Sequence, residues 1–292
     1  MLGIKQLLEK ALAGVAGLPP VEELYIRQIE GGSINASYKV STKDNRQWFC
    51  KFNDSPQFPD LFVKEAGGLT LLAGHGPFRI PAIVAAARLE SDQALVLEWI
   101  DQGTPAPAFW TLFGEQLARL HRVTRPEFGL DEGNYIGALP QDNTPAAHWP
   151  EFFSRHRLEP QIRLATDRGL LNVAAVGHFQ RLYLRLPDLF PPEPPALLHG
   201  DLWNGNFLCD TAGRPVLIDP AVYYGHRSMD LAMTTLFGGF NRAFYEAYAW
   251  HYPLPPDHRR QWAVCNLYPL LVHLNLFGVG YLSNILHTIK DF

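Results

Sequence analysis

Four residues in the second half of the chain, His199, Asp201, Asn206 and Asp219, have types and spacing suited to moving a phosphoryl group. They stand in His199-Gly200-Asp201-Leu202-Trp203-Asn204-Gly205-Asn206 and in Leu217-Ile218-Asp219-Pro220. The H-x-D-x-x-x-x-N spacing is that of catalytic loops in which an aspartate accepts the proton of an attacking hydroxyl and an asparagine holds magnesium. A short apolar run from Phe207 to Cys209, a turn at Asp210-Thr211-Ala212-Gly213 and a return through Val216 to Ile218 predict a hairpin. That hairpin would set Asn206 and Asp219 side by side as oxygen ligands for Mg²⁺, with Asp201 projecting towards the acceptor. Singly, Asp201 is an ordinary cap, Asn206 an ordinary turn residue and Asp219 an ordinary surface carboxylate. Their joint spacing sets them apart.

A phosphoryl donor needs its own contacts, and the N-terminal region offers them. Lys51, at the end of Trp48-Phe49-Cys50-Lys51, is the candidate for the cation on the nucleotide phosphates, and Glu65 on the following helix would orient it. Gly31-Gly32-Ser33-Ile34-Asn35 lacks the G-x-G-x-x-G pattern. A Gly-Gly turn between strands can still aim backbone N–H groups at phosphate, with Ser33 and Asn35 as polar supplements to Gly32. Glu98-Trp99-Ile100, just before the linker, stands where a kinase hinge would present backbone groups to adenine, and its local sequence fits a buried strand end equally well.

The elements that must position these residues follow from periodicity. Leu24 to Ile26, Ala36 to Val40 and Gln47 to Phe52 read as strands, the last two as a hairpin around Asp44-Asn45. Residues 61 to 74 carry a helical pattern, and Pro81 to Val84 and Ala94 to Ile100 return to strand-like runs. Asp101 to Pro107 collects turn formers and marks the domain boundary. Beyond it, helices are predicted over Phe109 to Val123, Trp149 to Arg168, Val173 to Leu186 and most of 228 to 292, with the motif-bearing loops from Pro191 to about Tyr224 as an island among them. The expected organisation is a nucleotide-binding part over 1–100, a linker over 101–107 and a larger helical part over 108–292 that carries the catalytic loop and acceptor site.

Composition narrows the function classes. With 292 residues, 18% charged and 47% hydrophobic, the chain can bury a large core and is not disordered. A net charge of −4 supplies no excess of cations for nucleic acid. Cys50, Cys209 and Cys265 are too scattered for a disulfide framework or a zinc site, which suits a reducing compartment, the cytoplasm. Gln261 to Thr288 lacks Lys, Arg, Asp and Glu, yet Asn266, Pro269, His273 and Asn275 interrupt it, so buried helices are expected rather than a membrane span.

Gly31 to Asn35, Phe49-Cys50-Lys51, Leu97 to Ile100, the His199 to Asn206 loop and Asp219-Pro220-Ala221-Val222-Tyr223-Tyr224-Gly225-His226-Arg227 together resemble the fructosamine kinase (ketosamine-3-kinase) family. The likeness spans essentially the whole chain. It implies an α+β, protein-kinase-like, two-lobed fold with a β-rich N-terminal lobe and a mostly helical C-terminal lobe. It also implies ATP-dependent phosphorylation of a ketosamine at O3, on a free amino acid, peptide or protein. Carried over by position, Asp201 would be the proton acceptor, Asn206 and Asp219 the Mg²⁺ ligands, Lys51 the phosphate contact and Glu65 its partner, with Glu98 to Ile100 at adenine. Trp203 could wall the acceptor pocket or serve as a core Trp, and Tyr224 and His226 could line the pocket or only brace the loop. Asp230 reads as a cap or buried brace, and His199 as structural. Two departures stand out: Ser228 follows Arg227 where the family commonly has Glu, and Ser33 stands where some relatives have Cys. The rival readings are a kinase of another amine-bearing molecule, such as an aminoglycoside or amino alcohol, and an idle nucleotide-binding scaffold.

Overall fold

A computed structural model gives the architecture and describes residues 2–19, 21, 23–29, 35–53, 58–89 and 92–292. The chain is α+β and forms two compact units. The first holds Met1–Gly74, Phe78–Ala106 and Leu208–Asp219; the second holds His75–Pro77, Pro107–Phe207 and Pro220–Phe292.

The first unit opens with α1 (Leu2–Ala13), then β1 (Leu24–Ile29), β2 (Ala36–Thr42), β3 (Gln47–Asn53), α2 (Leu61–His75), β4 (Ile83–Leu89) and β5 (Asp92–Glu98). The strands make one antiparallel sheet in the order β1-β2-β3-β5-β4. Alternation along β3 sorts its side chains. Trp48 and Cys50 join Ile4, Leu7, Leu8 and Leu12 of α1 in an apolar core, which leaves Lys51 for the opposite face. The predicted β2–β3 hairpin forms, and Asn45 closes it at φ 65°, a conformation that Asn tolerates better than most side chains. β4 starts at Ile83 rather than Pro81, since proline has no N–H to give a ladder.

The second unit contains α3 (Phe109–Leu120), β6 (Asn134–Ile136), β7 (Leu139–Gln141), α4 (Trp149–Phe152), a π-helical turn over Phe153–Leu158, α5 (Glu159–Asp167), α6 (Val173–Leu189) and β8 (Ala196–Leu198). α4, the π turn and α5 together cover the segment predicted as a single helix from Trp149 to Arg168. The β6–β7 hairpin does not figure among the predicted elements. The chain then makes β9 (Phe207–Cys209) and β10 (Pro215–Leu217), followed by β11 (Tyr223–Gly225), α7 (Ser228–Met233), α8 (Arg242–His251), α9 (His258–Cys265), α10 (Leu267–Phe277) and α11 (Leu282–Ile289). β11 pairs antiparallel with β8. The core is built around Phe152, Phe153, Phe179, Leu186, Tyr223 and Leu271. Helix α3 lies so close to α8 that a Cβ at Gly114 would stand 2.2 Å from the Phe244 carbonyl oxygen.

The division differs from the sequence expectation in two places. His75–Pro77, expected in the nucleotide-binding part, falls in the second unit. Leu208–Asp219, expected in the helical part, belongs to the first unit. The physical reason is a set of hydrogen bonds: Gly103 N–H donates to Cys209 O at 3.0 Å and Leu217 N–H to Arg79 O at 3.1 Å. Arg79 Nη1 also reaches Asp210 Oδ2 at 3.1 Å. The charge-free C-terminal stretch is divided among α9, α10 and α11, and among the described residues no helix is long and apolar enough to cross a membrane.

Candidate active site

In the first unit the Lys51 ammonium lies 2.7 Å from Glu65 Oε1 and 2.8 Å from Asp219 Oδ1. β3 presents the lysine, α2 the glutamate, and the chain leaving β10 the aspartate. Burial opposes the charge on Lys51, but Asp219 and Glu65 outweigh it and raise the ammonium above its ordinary value, so it stays charged at neutral pH. Burial lifts Glu65 above the usual carboxylate range against the pull of Lys51. The Lys51 and Glu65 side chains are 8% and 11% exposed and Asp219 is 35% exposed, so of the three the aspartate is the most open to a ligand. Asp219 also holds a φ of 55°. This left-handed conformation costs an ordinary residue roughly 1–3 kcal/mol and collects at functional sites.

In the second unit the His199–Asn206 loop is fastened from beneath. Asp230, in α7, accepts hydrogen bonds from His199 N–H at 2.8 Å and Gly200 N–H at 2.9 Å. His121 Nε2 lies 3.2 Å from the same carboxylate, and its Nδ1 is 2.8 Å from Tyr248 Oη. Burial penalises the Asp230 charge, but these partners outweigh it and hold the carboxyl below its usual range. The expected brace role of Asp230 is therefore met. His199 is fully buried, and its Nδ1 accepts from Asp201 N–H at 3.3 Å, which matches its structural reading. Gly200 sits at φ 84°, where a Cβ would fall 2.0 Å from the Ala221 carbonyl oxygen, so only glycine fits between His199 and Asp201. Asn206 Nδ2 donates at 2.8 Å to both the backbone carbonyl and the Oδ2 of Asp201, tying these two expected site residues together.

The other predicted site residues are placed less uniformly. Gly32 and Ser33 lie outside the described residues, and Asn35 Oδ1 accepts from Asn53 Nδ2 at 2.7 Å. The Glu98 side chain is bound by Arg79 at 2.6 Å and by Ala82 N–H at 3.2 Å. Trp99 is half-buried, with the Lys39 ammonium 4.1 Å from its ring centre and its indole N–H on Asp101 at 2.9 Å, while Ile100 is buried. Trp203 is half-buried; its ring covers Gly205, where a Cβ would be 2.4 Å away, and meets Phe237 edge-on at 5.7 Å. Tyr224 is buried in β11, with Arg125 5.3 Å from its ring.

His226 calls for a correction. It is 2% exposed, accepts from Ser228 N–H at 3.2 Å and packs 5.8 Å from Trp149 and 5.1 Å from Phe190. Burial drives its pKa down to about 4, so it is a neutral brace and offers no face to a substrate. Sequence reasoning also missed a buried polar group, Asn134, Gln141, Asn143 and Arg157, whose only local signal was an unusual density of amides among turn formers.

Within the first unit, the Asp219 carboxylate and the fixed Lys51 ammonium beside it are chemically suited to a hard divalent cation and to phosphate. The sequence profile of the fructosamine kinase family matches residues 10–292. A protein from Lactiplantibacillus plantarum named "Probable ketoamine kinase" is 38% identical over 91% of this chain and 94% of its own. The chloroplastic protein-ribulosamine 3-kinase of Arabidopsis thaliana is 36% identical over 91% of this chain and 82% of its own. A solved structure bearing the name fructosamine-3-kinase, from Thermobifida fusca, is 36% identical, covers 96% of each chain and superposes with a TM-score of 0.85. A GDP complex of an aminoglycoside 2′-phosphotransferase shares the fold, with a TM-score of 0.62 at 15% identity over 99% of this chain and 97% of its own. The fold is thus protein-kinase-like, and the chain belongs to the fructosamine kinase family, enzymes that transfer a phosphoryl group to a hydroxyl of a sugar–amine adduct.

Proposed function

We propose that the protein uses ATP to phosphorylate the O3 hydroxyl of ketosamines, the fructosamine-like adducts of free amino acids, peptides or protein lysines. The observation that carries this reading is the Lys51 ammonium held at 2.7 and 2.8 Å by Glu65 and Asp219, an arrangement that preserves one cation for the donor phosphates. Asp201 accepts the proton of the attacking hydroxyl as the new O–P bond forms and the bond from the γ-phosphorus to ADP breaks. Asn206 keeps the Asp201 carboxylate in place, and Asp230 fixes the backbone on which that carboxylate rides. Lys51 opposes the charge that develops on the transferred group. Asn206 and Asp219 would hold Mg²⁺, which when bound neutralises charge on the phosphates. Gly32, Ser33 and Asn35 would border the phosphates, the backbone of Glu98 to Ile100 would meet adenine, and Trp203 and Tyr224 would contact the acceptor. Three unpaired cysteines suit the reducing cytoplasm.

The test is incubation with Mg-ATP and, separately, fructosyl-lysine, ribulosyl-lysine, an aminoglycoside and choline, with each new phosphate located by ³¹P NMR. A phosphate at O3 of a ketosamine is the expected result. Turnover of the aminoglycoside or choline alone, or ATP binding with no turnover at all, would overturn the reading.

A further inference from the structure

Arg157, in the π-helical turn, is fully buried, and its guanidinium hydrogen bonds go to neutral oxygens: the carbonyls of Asp142 and His156 and, at 2.7 Å, Asn143 Oδ1. The rings of Tyr223, Phe152 and Tyr268 lie 3.9, 4.6 and 5.5 Å from its Cζ. A well-packed apolar side chain would serve stability as well as a buried charge without the desolvation cost. π-helical turns also occur often at functional sites.

What the arginine adds is direction. Its guanidinium can only donate, so Asn143 must present its oxygen to it and its NH₂ to Asn134 Oδ1, at 2.9 Å. Asn134 must then donate onward, and its Nδ2 meets the Val222 carbonyl at 2.8 Å. Gln141, paired with Asn134 across the β6–β7 hairpin, donates to Asn134 Oδ1 at 2.8 Å and to the Ala221 carbonyl at 3.1 Å, and accepts from Tyr268 Oη at 2.9 Å. Ala221 N–H in turn donates to His199 O at 2.9 Å, and its carbonyl abuts Gly200. Each amide in this network has one permitted orientation: Asn143 faces a guanidinium that cannot accept, and Asn134 and Gln141 face backbone carbonyls that cannot donate.

We propose that Arg157 is a positioning residue for phosphoryl transfer, orienting through Asn143, Asn134 and Gln141 the backbone against which the His199–Asp201 loop rests. The proposal deepens the kinase reading and rests on it for its kinetic consequence, whereas its structural consequence is independent of substrate. The decisive variant is Asn143→Asp. It gives Arg157 a carboxylate partner, so the fold is kept, but it cannot donate to Asn134, so the relay is broken. Expected results are a thermal midpoint at or above wild type, amide hydrogen exchange at Gly200 and Asp201 at least tenfold faster, and kcat on a ketosamine at least fivefold lower, with KM for ATP within twofold. Arg157→Met should give the same pattern, and Arg157→Lys, which still donates, should recover part of the loss. Unchanged exchange at Gly200 and Asp201 in folded Asn143→Asp would overturn the proposal, as would wild-type kcat. Absence of ketosamine turnover by the wild-type protein would instead sink the kinase reading and leave the exchange result to decide this one.

Discussion

Replacing Asp230 with asparagine removes one acceptor from a buried carboxylate that now serves three donors, the N–H groups of His199 and Gly200 and the His121 ring. An amide has a single acceptor oxygen, and here Oδ2 faces His199 and His121 while Oδ1 faces Gly200. In either orientation of the amide, at least one backbone N–H of the catalytic loop meets an NH₂ group. A buried donor without a partner costs about 1–3 kcal/mol. With a urea slope of roughly 2–3 kcal/mol per molar, the unfolding midpoint should fall by about 0.3–1.5 M. The loop carries the proposed base, and a displacement near 1 Å can cost on the order of a hundredfold in rate. Asp230→Asn should therefore lower kcat about 10–100-fold while KM for ATP stays within twofold, because Lys51 and Glu65 lie in the other unit. The stability loss should also depend on pH. The folded-state pKa of Asp230 is depressed, so its stabilisation is present above the ordinary carboxylate range and is lost as pH falls through the folded value. The gap between wild type and variant should close in acid. Urea unfolding followed by tryptophan fluorescence, paired with steady-state kinetics, reads both quantities. A variant with an unchanged midpoint and kcat within twofold of wild type would refute the brace.

Two further perturbations separate the remaining contributions. Lys51→Met leaves Glu65 and Asp219 without their shared cation, and breaking such a pair costs roughly 3–5 kcal/mol. kcat/KM for ATP should fall at least ~10²-fold in an ADP-release assay, and near-wild-type activity would contradict the phosphate role. Asp210, which accepts from Arg79, Arg214 and two backbone N–H groups, is held down at about 2 against an ordinary 3.8, despite the burial that opposes its charge. Its contribution should be complete above about pH 4 and vanish as pH falls through about 2, so Asp210→Asn should be less stable than wild type at pH 5–7 and equal to it near pH 2. Urea midpoints across that range check this, and a gap independent of pH would contradict it.

The proposed catalytic loop is legible because its residues are contiguous: His199, Asp201 and Asn206 sit within eight residues whose spacing is itself the signal. Lys51 and Glu65 were legible only once that loop was in hand, since neither residue is unusual alone. The supporting polar network was not legible. β6 and β7 are three residues each, too short for alternation to register, and their amides acquire meaning only from Ala221 and Val222, some eighty residues on. His226 follows the proposed metal-binding aspartate closely, but proximity in sequence does not tell which way a ring faces, and β11 turns it into the core. The unit that holds Leu208–Asp219 was equally hidden, because it is decided by Arg79 and Asp210, 131 residues apart.

The central claim is that Asp201 removes a proton from a ketosamine hydroxyl during transfer from ATP. It is tested most directly by following ADP release with Mg-ATP and saturating fructosyl-lysine, for the wild-type protein and for Asp201→Asn. Asparagine keeps the shape and cannot take the proton, so kcat should fall by about 10²–10⁴-fold with KM for ATP little changed. Equal rates in the two proteins would contradict the claim.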